Sequence, residues 1–295
     1  MCRVDEALLP SARREKDQKP SLYKTEHFSK IVSVIVSTTM KMSFLAVGAL
    51  PLLIGLGAIP VAAAPLDPTP ASPVPLLSAD EIVSRLVERN LERARALEAY
   101  EGTRVYRLEY HGFPGFRSAE MIVDVKYRSP GTKDFHVRSE KGSRLIIERI
   151  FKRVLETEKE SLSEQNQSRV ALNQDNYEFT LDGCESTPAG LFYVLSVEPR
   201  TDNKLLYRGR IWVDAHDFAV ARIEAAPARN PSFWTKETKI EQVYAKVGGF
   251  WLPLSNRSSS DIRLGGHASF TIDYQDYRIT AARAVRRQGE LAGFR

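Results

Sequence analysis

From Leu206 to Thr280 the chain alternates apolar and polar residues with few breaks, and this limits its possible folds more than any other feature. Five long strands are expected there: Leu206–Asp214, Phe218–Ala226, Trp234–Lys246, Phe250–Leu264 and His267–Thr280. Gly248-Gly249 and Gly265-Gly266 supply hairpin turns, because glycine tolerates positive φ. Strands this long cannot bury both faces in a chain of 295 residues, so their sheet is expected to curl.

The N-terminal third reads differently. Residues 1–39 are polar and read as an over-extended start ahead of Met40 or Met42. Lys41, the apolar run Phe44–Pro60 and the small residues Val61-Ala-Ala-Ala64 follow in the order of a secretory signal peptide, here residues 40–63 with cleavage after Ala63. The alternative is a membrane tether at 43–64, which Pro51, Pro60 and three glycines disfavour. Residues 64–77 form a proline-rich linker with five prolines between Pro65 and Pro75. One domain is expected over 78–280, and then a basic flexible tail over 281–295.

Removing residues 1–63, which hold 8 Lys/Arg and 5 Asp/Glu, from totals of 42 and 37 leaves a net charge of +2. That balance gives no electrostatic footprint for nucleic acid. Cys184 is the one cysteine beyond the leader, so no intramolecular disulfide is expected, and no cysteine stands at the cleavage point to take a lipid. Export as a soluble protein is the expectation.

Ser78-Ala-Asp-Glu81 fits a capping box and opens an amphipathic helix to about Tyr100, with Ile82, Leu86, Ala94 and Leu97 on its apolar face. From Thr103 the period becomes two, giving an antiparallel meander over 103–137. A second amphipathic segment spans Arg144–Leu155, with the stripe Ile147, Ile150, Phe151 and Val154 and a supporting Glu148/Lys152 pair. Further strands are expected at Tyr177–Asp182 and Gly190–Glu198. The fold class is therefore mainly β (α+β): a curled antiparallel sheet of about ten strands with two covering helices.

Catalytic signals are weak. No serine lies in a Gly-x-Ser-x-Gly elbow, and His111, His136, His216 and His267 lack metal-ligand spacing. Asp214-Ala-His-Asp217 groups two carboxylates with an imidazole, but the strand pattern needs a turn at that point. No enzyme activity, cofactor or metal is expected. What remains is apolar strand surface, including Leu191. Either it encloses a cavity suited to a lipid tail, or helices and loops fill it as ordinary core.

The capped helix, meander and inserted helix precede Arg210-Ile-Trp-Val-Asp214 and Phe218-Ala-Val-Ala-Arg-Ile-Glu224. With Lys246-Val-Gly-Gly-Phe-Trp-Leu-Pro253 and Thr271-Ile-Asp-Tyr274, this arrangement resembles the outer-membrane lipoprotein-sorting (LolA-like) proteins and the related RseB-type sensors over most of 78–280. The resemblance implies an unclosed antiparallel β half-barrel, with the two covering helices as a lid over an apolar cavity that shields acyl chains in the periplasm. No catalytic residue carries over. The residues expected to line the cavity are Tyr106, Leu108, Tyr110, Met121, Val123, Val125, Tyr193, Leu195, Ile211, Val213, Phe270, Ile272 and Tyr274. Ile147, Ile150 and Phe151 form the underside of the lid. Trp212 and Trp251 read as packing residues, and Arg222 either as a surface residue or as one reaching a ligand carbonyl. A lipid or acylated protein is the expected partner, with an inner-membrane transporter or envelope receptor beside it. The rival roles are an RseB-like envelope-stress or lipid sensor and a membrane-tethered structural protein.

Overall fold

The computed structural model describes residues 77–113, 115–160, 170–203, 205–229, 235–263 and 265–283. The leader at 40–63, the prolines of the linker and the tail beyond 283 lie outside them. Among the described residues no helix is long and apolar enough to cross a membrane.

Ten antiparallel strands form one sheet: β1 (Leu97–His111), β2 (Arg117–Arg128), β3 (Thr132–Gly142), β4 (Tyr177–Thr187), β5 (Gly190–Pro199), β6 (Tyr207–Asp214), β7 (Val220–Pro227), β8 (Thr235–Val247), β9 (Phe250–Ile262) and β10 (Gly266–Ala282). Their order is β3-β2-β1-β10-β9-β8-β7-β6-β5-β4, so the sheet is not closed and its edges are β3 and β4. Every neighbouring pair but one is a sequence neighbour. The exception joins β1 to β10, with Tyr106 opposite Ile272 and Leu108 opposite Phe270.

Helix α1 (Ala79–Ala96) begins with the expected capping box: the Ser78 hydroxyl accepts from Glu81 N at 3.2 Å, and Glu81 Oε2 accepts from Ser78 N at 2.8 Å. It ends four residues before Tyr100. Leu97 already has extended backbone, because it and Ala99 pair with Ala282 and Ala281, and strand pairing there overrides the helical spacing of Leu97. β10 accordingly runs to Ala282, two residues past the expected domain end.

The second cover comprises α2 (Arg144–Ile146), a π-helical turn (Ile147–Phe151) and α3 (Lys152–Glu160). Its buried apolar residues come in adjacent pairs four apart, Ile146/Ile147, Ile150/Phe151 and Val154/Leu155. This makes the apolar stripe wider than the four residues expected from spacing alone. On its solvent side Lys152 Nζ lies 2.8 Å from Glu148 Oε1, the expected i,i+4 pair.

Candidate functional site

Both helical covers lie on the same face of the sheet, as the strand register shows. One continuous row of cross-strand neighbours crosses nine strands: Met121, Tyr106, Ile272, Asn256, Gln242, Ile223, Ile211, Leu195 and Leu181. Directly opposed residues share a face, so this inner face is apolar at both ends and polar in the middle. One apolar cluster joins β1, β2 and β10 to the α2–α3 segment, and a second joins β4–β8 to α1.

The expected lining residues divide between these clusters. Tyr106, Leu108, Tyr110, Met121, Val123, Val125, Phe270, Ile272 and Tyr274 pack with Ile147, Ile150 and Phe151 in the first. Tyr193, Leu195, Ile211 and Val213 lie in the second, with Ile82, Val83 and Leu86 of α1. All of these are buried in the closed arrangement described here. The rings of Tyr106, Phe151 and Phe270 stand 6.1–6.5 Å apart, so the helical segment seats directly on the sheet. Leu191 departs from the expected parity. It is 48% exposed at the start of β5, where Leu191 O accepts from Ala215 N across the β6–β7 turn.

A crevice between α1 and β7–β9 is lined by Arg93, Leu97, Ile223, Tyr244, Phe250 and Trp251, among others, and encloses about 20 Å³. That is room for about one water. A larger groove of about 420 Å³ lies on the opposite face and is lined by charged groups of both signs, including Glu101, Asp124, Lys126, Arg138 and Arg278. Several are already paired: Arg138 with Asp124 at 2.6 Å, and Arg278 with Glu101.

The polar anchors of the two covers differ. On α3, Glu158 is buried and accepts from Arg104 Nη1 at 2.7 Å and Lys133 Nζ at 2.8 Å. Arg104 also donates to the Tyr106 hydroxyl at 3.2 Å and stacks on Tyr274 and Phe135. Burial pushes the Glu158 carboxyl up, but the charges of Arg104 and Lys133 outweigh it and hold the group at about 2. Sequence reading missed this triad.

On α1, Arg93 donates to the carbonyl oxygens of Asp217 at 2.8 Å and Phe218 at 3.0 Å, in the β6–β7 turn. Burial lowers the Arg93 pKa to about 10, against the opposing charge of Asp217. Here the Asp214-Ala-His-Asp217 group is a turn, as the strand pattern requires. Asp214 Oδ1 accepts from the backbone N–H groups of His216 and Asp217. Although the Asp214, His216 and Asp217 ligand atoms lie within 4.8 Å of one another, Asp217 Oδ2 is already engaged by Lys246 Nζ at 2.6 Å and Trp251 Nε1 at 2.8 Å.

Trp212 and Trp251 pack as expected. Trp212 donates to Glu185 at 2.7 Å and lies under Arg222, whose guanidinium carbon is 4.8 Å from the ring centroid. Arg222 is therefore a surface residue on the outer face, paired with Glu224, and does not reach the inner face.

The class this architecture defines is a mainly β protein: an open ten-stranded antiparallel sheet with two helical covers on one face. No family model and no curated protein sequence matches the chain. Solved structures do. A DUF1329 family protein from Desulfovibrio piger matches at a TM-score of 0.35 and 15% identity, over 70% of this chain and 95% of its own. A domain assigned provisionally to outer-membrane lipoprotein sorting, from Vibrio parahaemolyticus, matches at 0.35 and 12%, over 70% and 95%. A LolA superfamily protein from Nitrosomonas europaea matches at 0.30 and 10%, over 72% and 96%. The last two carry the family names that the sequence resembles; at these scores the matches bear no further argument.

Proposed function

We propose that the protein is a periplasmic carrier that takes acyl chains of a lipid or lipid-modified protein onto its inner face when the α2–α3 cover swings away. One observation carries this reading. The rows under that cover from Met121 through Tyr106 to Ile272 and from Ala119 through Leu108 to Phe270 are apolar, and the adjoining row carries Arg104, which holds the cover through a single carboxylate, Glu158. A displaced cover would expose a ready apolar surface, and each methylene brought onto it from water gains about 0.8 kcal/mol. A long acyl chain therefore gains on the order of 10 kcal/mol without any chemistry. Of the sixteen lining residues named from the sequence, this opening exposes the twelve of the first cluster, and Tyr193, Leu195, Ile211 and Val213, under α1, continue the proposed contact surface across the sheet.

Such a carrier receives its cargo from an inner-membrane transporter and delivers it to an envelope receptor. N-terminal sequencing of the exported form checks removal of residues 1–63 and separates a soluble carrier from a tethered protein. Native mass spectrometry of protein purified from an envelope fraction, with uptake of the apolar fluorophore diphenylhexatriene, tests the pocket. Bound lipid and saturable uptake are expected. Absence of both defeats the reading.

A further inference from the structure

The middle of the inner face breaks the pattern of both ends. On β8 and β9, Thr238 stands opposite Ser260, Ile240 opposite Ser258, and Gln242 opposite Asn256. All six are at most 2% exposed, as is Thr235 at the start of β8. The next positions outward are apolar again: Ala268, Phe270 and Ile272 on β10, and Ile223 on β7. A polar stripe, continuous on β9 through Asn256, Ser258 and Ser260 and interrupted on β8 by Ile240, thus lies between the two apolar clusters.

Packing does not explain the stripe. Thr238 and Ser260 bond each other at 2.8 Å, but the hydroxyls of Ser258 and Thr235 are buried with no hydrogen-bond partner among the described residues. An unsatisfied buried hydroxyl costs free energy, and an apolar side chain of similar size would avoid that cost. Strands at the centre of a covered sheet normally carry such apolar residues. The stripe holds no lysine, arginine, aspartate or glutamate, so it does not match a phosphate or carboxylate. Neutral hydroxyls and amides match a neutral carbonyl.

We infer that this stripe is a binding subsite for the ester or amide carbonyls of an amphiphile whose hydrocarbon lies on the flanking apolar rows. The Ser258 and Thr235 hydroxyls donate to those carbonyl oxygens. This inference rests on the carrier reading and adds selectivity to it: the protein takes acylated molecules in preference to bare hydrocarbon or ether-linked chains.

The test compares monoolein with its ether analogue, 1-O-oleyl glycerol, as competitors of diphenylhexatriene. The pair differ only at the carbonyl. The expected result is an affinity for the ester about tenfold above that for the ether, the order of one or two neutral hydrogen bonds. In Thr235→Val/Ser258→Ala the preference should vanish while affinity for diphenylhexatriene holds and the melting temperature holds or rises. Should the double variant fold poorly, Ser258→Ala alone removes a hydroxyl that bonds nothing and should still reduce the preference. Equal binding of ester and ether by the native protein, or a preference that survives the substitutions, overturns the subsite and leaves the carrier reading standing. Loss of fluorophore binding along with the preference marks these residues as wall rather than subsite, and equally overturns it. If the native protein takes up neither fluorophore nor monoolein, the carrier reading falls and the subsite with it.

Discussion

The two helical covers seat on the same face of the sheet by different means. Helix α1 is a regular 18-residue helix with a complete capping box, and it docks through Ile82, Val83 and Leu86. Its polar anchor, Arg93, is only part-buried and donates to backbone carbonyls of a surface turn. The α2–α3 segment is interrupted by a π-turn, yet it buries three adjacent apolar pairs and places its anchor carboxylate out of water between two cations. The contrast shows where specificity resides. A guanidinium bonded to carbonyls at the rim can exchange those bonds for water, at a smaller cost than unpairing a buried ion pair. A buried carboxylate between two cations has no such substitute, so its helix is either fully seated or fully released.

The largest expected effect comes from Glu158→Ala, which strands Arg104 and Lys133 without a counter-charge. Loss of a partner from a buried pair costs about 3–5 kcal/mol, measurable by urea denaturation. Hydrogen exchange sharpens the comparison: amides of 144–160 should lose protection while those of 79–96 keep theirs. Equal loss in both would mean that the covers move as one unit. Arg93→Ala should give the converse pattern at a smaller cost, about 1.5–3 kcal/mol for hydrogen bonds from a charged donor. Smaller again, Ile82→Val and Ile150→Val should each cost about 0.5–1.5 kcal/mol. Closely matched values would show that the apolar parts of the two docks are equivalent and that the difference lies in the polar anchors.

Acid should affect the α3 anchor in a defined window. Because Glu158 is held at about 2, below the roughly 4.3 of an unfolded glutamate, its contribution is fully present above that value. It is lost as pH falls from there toward 2. Protection of 144–160 should therefore be flat between pH 8 and pH 5 and decline below about 4. A decline already between pH 7 and pH 5 would place the anchor elsewhere.

Local chemistry made much of the fold legible. Ser78 and Glu81 announced the start of α1, and the alternation at Tyr106, Leu108 and Tyr110, or at Phe270, Ile272 and Tyr274, identified inward residues. The end of α1 was misread because Leu97 continues a helical spacing that strand pairing overrides. The Glu158 anchor left no sequence signal: its partners lie 54 and 25 residues away, and each reads locally as an ordinary surface charge. The polar stripe did leave one. Asn256, Ser258 and Ser260 alternate on β9 as regularly as any apolar row, but a search for apolar parity passes over them.

The β1–β10 pairing has a consequence for how the molecule is made. It joins residues 97–111 to residues 267–282, so an interior strand, fourth of ten in the sheet order, is the last of the described strands to be synthesised. Until it arrives, β1–β3 form a separate three-stranded piece whose inner edge offers unpaired backbone groups to any other strand. Closing that long a loop places the chain among slow folders, with a contact order set by this one seam. Truncation within β10 should therefore leave two unjoined sheet fragments prone to association, rather than a slightly smaller version of the same protein.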